Sequence, residues 1–152
     1  AELCGVAAAG LVANEASLLR IKAWGVDLAG AQLDDVELVG ADLRGAILDN
    51  AQANRARLEG VDLKLARLEA ASLRGAVLRG ADLRRAQAAR AVLIHADLSG
   101  ADLRGTLLRG ADLRATRLTD VRLEGANLSG VRITRRQLER LRGDAIVTVA
   151  SA

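Results

Sequence analysis

The sequence predicts an all-β solenoid: a four-sided β-helix of about seven coils, closed at its C-terminal end by a short helix. Three observations predict it. The chain divides into fives from Ala1 to Arg135, giving 27 blocks in one register with no insertion or deletion. The first position of a block is Ala in 17 cases and Val in 6, and the third is Leu in 21, so two apolar places recur at a fixed spacing. Of the 15 glycines, 14 stand at the fifth position, which marks a bend at the end of each block.

A period of five matches neither the 3.6 residues of a helical turn nor the two-residue alternation of a flat strand. Positions one to three, if extended, point in, out and in. A bend through positions four and five, where glycine tolerates positive φ, returns the next block to the same phase. Four such bends close a square. The core is then a narrow shaft of Ala, Val and Leu, which fits a composition with no Phe, Tyr, Met or Pro and with Trp24 as the sole aromatic residue.

The blocks Ala41-Asp42-Leu43-Arg44-Gly45, Ala96-Asp97-Leu98-Ser99-Gly100, Ala101-Asp102-Leu103-Arg104-Gly105 and Ala126-Asn127-Leu128-Ser129-Gly130 resemble those of the pentapeptide-repeat proteins, as do Ala81-Asp82-Leu83 and Ala111-Asp112-Leu113. The resemblance covers about nine-tenths of the chain. It implies a right-handed quadrilateral β-helix with four blocks per coil, stacked at ~4.8 Å. Phe, which the family commonly places at the central position, is absent, so the shaft holds Leu tiers alone. Ala53 and Ala88 interrupt those tiers, and each either leaves a void or marks a tighter coil. Residues 1–25 keep the phase but lack the Asp-Leu pair, and a helical cap competes there with the solenoid.

The expected domains are a solenoid over 1–135 and a cap over 136–152. Thr134 is placed to cap a helix, with Gln137 as its reciprocal partner and Ile133 and Leu138 as the flanking staple. Leu138 and Leu141 would cover the last coil, and Gly143 would end the helix. The tail Ala145-Ile146-Val147-Thr148-Val149-Ala150 is apolar and β-branched, which suits pairing with a strand edge, folded back on its own chain. A homodimer through this end is the alternative.

With a coil repeat of twenty, the outer walls can be written down. On the wall that starts at Ala1 the second positions run Lys22, Asp42, Asp62, Asp82, Asp102 and Arg122. Beside them run Trp24, Arg44, Lys64, Arg84, Arg104 and Glu124. Six acids face seven bases on this wall, and the other three walls hold 3 against 3, 4 against 5 and 4 against 4. Each wall is expected to neutralise itself. The family's best-known activity, protection of DNA gyrase by mimicry of DNA, calls for a strongly anionic surface that these counts do not supply. The topoisomerase-protecting class thus rests on resemblance alone.

The net +3 arises at the C-terminal end, where Arg132, Arg135, Arg136, Arg140 and Arg142 face Glu139. The first fifty residues hold eight acids to three bases. A basic stripe interleaved with aromatic residues is missing, which argues against nucleic acid as the partner. The basic end suits an acidic protein patch.

No chemistry is expected. His95, the one histidine, has Gly75 and Ala115 as vertical neighbours, and Cys4 has no base to activate it. Catalytic, cofactor-binding and metal-binding residues are all read as none. One cysteine fits a reducing, cytoplasmic compartment, and no run of about eighteen apolar residues suggests a membrane span. Ala1 in place of Met suggests a processed chain or an excised domain. The most informative outward residues are Leu19, Trp24 and Val39, which form a candidate contact edge for another protein. Ile47, Val77, Val92, Ile94 and Leu107 make a looser apolar scatter. The function expected is a rigid, non-enzymatic interaction module.

Overall fold

The structure, a computed structural model, describes residues 2–144. Second-position residues pair in parallel with the residue twenty further on: Glu2 with Lys22, Ala7 with Asp27, Val12 with Gln32, Ser17 with Glu37. The register continues unbroken to Asp112 with Arg132. Residues 2–25 carry the same bridges, so the solenoid begins in the first block and no helix forms there. The signature Asp-Leu pair is dispensable because the turn residue at the fifth position and the inward first position already hold the phase.

The backbone hydrogen bonds explain the five-residue unit. At the second position both polar groups point down to the coil below: Asp27 N donates to Val6 O at 2.9 Å, and its carbonyl accepts from Ala8 N at 2.8 Å. The fifth-position N–H points up, as in Gly5 N to Trp24 O at 2.9 Å. The first-position N–H closes each corner on the third-position carbonyl three residues back, as in Val6 N to Leu3 O at 3.2 Å. Fifth positions have φ from 51° to 72°, the requirement of the third residue in a type II turn. Glycine meets it without strain. Twelve other residues meet it at a cost, Leu65, Ala70 and Ala115 among them.

First and third positions from Ile21 to Leu113 fill the shaft, with Leu43, Leu63, Leu83 and Leu103 all buried and twenty residues apart. Thr106 and Thr116 replace Ala at first positions and stay fully covered because each hydroxyl donates to a carbonyl of the coil below, Leu83 O and Leu93 O, both at 2.7 Å. Ala53 leaves a cavity of about 20 Å³, lined among others by Leu33, Leu58 and Leu73.

Helix α1 spans Arg135–Asp144. Thr134 caps it: Gln137 N donates to Thr134 Oγ1 at 3.3 Å and Thr134 N donates to Gln137 Oε1 at 3.0 Å. Leu138 and Leu141 lie over the open shaft with Leu118, Leu123, Leu128 and Ile133. Gly143 falls inside the helix instead of just after it, in a last turn where its weak helix propensity costs little. The tail from Ala145 lies outside the described residues.

Candidate interaction surfaces

One donor per block has no backbone acceptor, the fourth-position N–H. In twelve blocks a side chain satisfies it, in one of two ways. A second-position Asp or Asn folds back along its own block, as Asp27 Oδ1 does to Ala29 N at 3.0 Å and Asn127 Oδ1 to Ser129 N at 3.0 Å. Alternatively, a fourth-position Asp or Asn reaches up one coil. Asn14 accepts from Asp34 N at 2.9 Å, Asp34 from Asn54 N at 2.8 Å, Asn54 from Arg74 N at 3.2 Å and Asp49 from Glu69 N at 3.0 Å. The Asp of each Ala-Asp-Leu block is thus first a turn cap, since Asx side chains are the right length to reach two residues on. In the sequence these residues stand out by their charge alone. The signal that could have revealed the cap was the choice of Asp or Asn over Glu at that position.

The same carboxylates hold the wall's cations. Arg44, Arg84, Arg104 and Arg114 each make paired guanidinium bonds, with Nη2 to Oδ2 of Asp42, Asp82, Asp102 and Asp112 at 2.6 to 2.7 Å. Lys64 bridges Asp62 at 3.0 Å and Asp82 at 3.7 Å. These bonds, with the backbone cap, hold the carboxyls of Asp42, Asp82, Asp102 and Asp112 below the usual range. Burial opposes ionisation of Asp97, yet bonds from Ser99 and Arg79 outweigh it and bring its pKa to about 2. The walls are flat, regular and internally neutralised.

A scan against family models matches pentapeptide repeats, in 8 copies, over residues 27–64, 66–105 and 96–135. The chain belongs to the pentapeptide repeat family. Its quadrilateral β-helix is the fold described above. Among solved structures, it is similar to a pentapeptide repeat protein of the Arabidopsis thaliana thylakoid lumen, at 24% identity over 85% of this chain and 79% of that one, with a TM-score of 0.46. It is also similar to QnrB1, a plasmid-mediated fluoroquinolone resistance protein, at 19% identity over 93% and 98%, TM-score 0.35. A third is HetL, involved in heterocyst differentiation regulation in the cyanobacterium Nostoc, at 26% identity over 86% of each chain, TM-score 0.22. No curated protein matches the sequence.

The pentapeptide repeats place the predicted contact residues as follows. Leu19 and Val39 stack at one corner, in the register fixed by Arg20 N donating to Val39 O at 2.9 Å, while Trp24 stands at the next corner above Cys4. Leu19 and Trp24 are 57% and 51% exposed, and Val39 is half-buried. Trp24 has Arg44 one coil away, but that guanidinium is committed to Asp42. Of the looser scatter only Leu107 is largely exposed; Leu65, at a glycine-type corner, is exposed at 60% and was not foreseen. At the basic end Arg132 pairs with Asp112 at 3.2 Å and Arg135 with Glu139 at 3.3 Å. Arg136 and Arg140 have no carboxylate partner among the described residues, and the side chain of Arg142 lies outside them. Among the described residues no group of His, Cys, Asp and Glu is arranged to hold a metal ion, and no helix is long and apolar enough to cross a membrane.

Proposed function

We infer that the chain is a rigid protein-interaction module that binds another protein through the apolar residues of its N-terminal half, Leu19, Trp24 and Val39, and acts without chemistry of its own. The observation that supports this reading is the contrast between walls whose charges balance and are mostly paired with their neighbours and a short stretch where large apolar side chains face solvent. A neutralised wall offers a partner little, because its ion pairs must be broken before new ones form. Exposed Leu and Trp on a scaffold that loses no conformational freedom on binding offer apolar area at small entropic cost. Arg136 and Arg140 give a second, weaker contact for an acidic patch.

The test compares proteins retained by the immobilised wild-type chain with those retained by a Leu19→Asp/Trp24→Asp variant. Both substitutions lie on the outside, so the variant keeps its fold. The expected outcome is loss of the partner set from the variant. Retention of every partner would remove the apolar edge as the site. The topoisomerase-protecting reading is tested separately, by gyrase supercoiling with and without a poison across the micromolar range. The neutralised walls lead us to expect no effect.

A further inference from the structure

The sixth coil contains an incomplete copy of the unit that builds the walls. In the block Ala101-Asp102-Leu103-Arg104-Gly105, Asp102 Oδ1 accepts from the backbone N–H of Arg104 at 3.2 Å and from its Nε at 2.9 Å, while Oδ2 accepts from Nη2 at 2.6 Å. The next block, Thr106-Leu107-Leu108-Arg109-Gly110, keeps the arginine and puts Leu107 where the carboxylate stands. Every other fourth-position cation is answered at its N–H, its side chain or both. Five have their N–H on an Asp of their own block, Arg74 N donates to Asn54 Oδ1 at 3.2 Å, and Arg79 Nε donates to Asp97 at 2.8 Å. Arg109 alone has neither: its N–H and its guanidinium both lack a partner among the described residues.

The gap lies within the wall and away from either end of the rod. Leu107 pairs in parallel with Gln87 on the coil below and Asn127 on the coil above, and it is still 45% exposed. The coil below supplies no substitute cap. Where a fourth-position Asp or Asn would reach up, this wall has Ala89, whose own N–H also lacks a partner among the described residues. Blocks 86–90, 106–110 and 126–130 hold Arg90 and Arg109 and no acid. Arg90 is tied to Glu69 on the coil beneath. Arg85 stands at the corner that leads into this wall, has no carboxylate partner among the described residues, and has its Cγ 3.4 Å from where a side chain on Gly105 would begin.

We propose that Arg109 receives the carboxylate of an acidic segment of a partner protein, in the place that Asp102 fills for Arg104, with Leu107 as an apolar contact beside it and Arg85 as a second cation. The donors suit a carboxylate. In the complete unit an N–H and Nε converge on one oxygen and Nη2 meets the other, the paired geometry in which a guanidinium holds a carboxylate best. The backbone donor is fixed by the coil, so little has to be ordered when the ligand arrives. A nucleic acid needs a run of cations along its phosphates, and here only Arg85 and Arg109 are uncommitted. The inference is independent of the apolar edge, because Leu19 and Trp24 stand in the first two coils.

The probe is the peptide acetyl-Leu-Asp-Leu-amide, titrated into the isotope-labelled chain and followed by NMR. Saturable shifts are expected at the backbone N–H and the Nε of Arg109, with the acetyl-Leu-Asn-Leu-amide analogue binding at least about tenfold more weakly. Leu107→Asp completes the unit from within: it should melt no lower than wild type and bind the peptide at least about tenfold more weakly, its own carboxylate filling the site. Arg109→Gln should lose the same binding with unchanged circular dichroism. The proposal is overturned by equal binding of the two peptides, by undiminished binding in both variants, or by no saturable shift up to tens of millimolar peptide. A lower melting temperature for Leu107→Asp overturns it too, since Arg109 would then be unable to hold a carboxylate there. So does a stronger response of Arg109 to a single-stranded oligonucleotide than to the peptide, which would assign the site to nucleic acid.

Discussion

The side-chain amide of Gln137 donates to the carbonyl of Thr116 at 2.8 Å. In an unbroken solenoid that carbonyl would receive the backbone N–H of residue 137 itself, as Ala111 O receives Arg132 N at 2.9 Å. The chain has turned into a helix, its N–H has gone to Thr134, and the side chain of the same residue takes over the bond. A second donation, to Leu113 O at 2.9 Å, covers another carbonyl of the last coil. Gln137→Ala leaves the part-buried Thr116 O bare, while Leu113 O keeps the Thr116 N–H at 3.2 Å, and is expected to cost about 1–3 kcal/mol. Gln137→Glu should be worse near neutral pH, because an ionised carboxylate keeps the cap on Thr134 but faces two carbonyl oxygens. Protonation restores a donor, so the melting-temperature deficit of the Glu variant against wild type should narrow as pH falls toward 4. An equal deficit at both pH values would refute the assignment.

Corners set the next expectation. Ala70 and Ala115 have φ of 54° and 59°, a conformation that glycine adopts freely and alanine does not. Replacing either by Gly should leave stability unchanged or raise it by up to about 1 kcal/mol, contrary to the usual penalty for glycine in regular structure. Gly25, at φ of 64°, has open space where a side chain would stand, so Gly25→Val isolates backbone strain from crowding. It should lose about 1–3 kcal/mol. Chemical denaturation of the three variants checks the sign.

What could be read from the sequence followed from periodicity. The shaft, the corners and the vertical order of the walls all follow once residues twenty apart stack, and Thr134 with Gln137 could be recognised as a capping box from spacing alone. The rest depended on counting backbone donors. Asp42 and Asp82 looked like members of a charge ladder until the unpaired fourth-position N–H showed what their length is for. The placing of Leu19, Trp24 and Val39 on two corners was implicit in the block numbers, since Trp24 follows one bend later than Leu19. The helix runs through Gly143 to Asp144, which the rule that places glycine just after a helix does not contain.

Ala53 breaks a Leu tier between Leu33 and Leu73, and the cavity of about 20 Å³ beside it shows that the coil does not tighten to compensate. Filling it with Ala53→Leu restores the tier and should stabilise by about 0.5–2 kcal/mol. The opposite change, Leu63→Ala in a filled tier, should cost about 2–5 kcal/mol. If Ala53→Leu instead lowers the melting temperature, the shaft at that level is already full.

Acid should act first on the walls. Asp97 has a folded pKa of about 2 against an ordinary 3.8, and Asp42, Asp82, Asp102 and Asp112 are shifted the same way by their arginines. A carboxyl whose pKa is depressed by folding stabilises the fold above its unfolded pKa, and that stabilisation is lost as pH falls through the folded value. The melting temperature should therefore be level from neutral pH to about 4.5 and fall between about 4 and 2. Asp97→Asn keeps an oxygen for Ser99 N but gives up the charge that holds Arg79, bonded at 2.8 Å. The variant should be less stable than wild type at pH 7 and close to it at pH 2. A parallel decline of the two proteins would show that the ionised carboxylate of Asp97 contributes nothing to the fold.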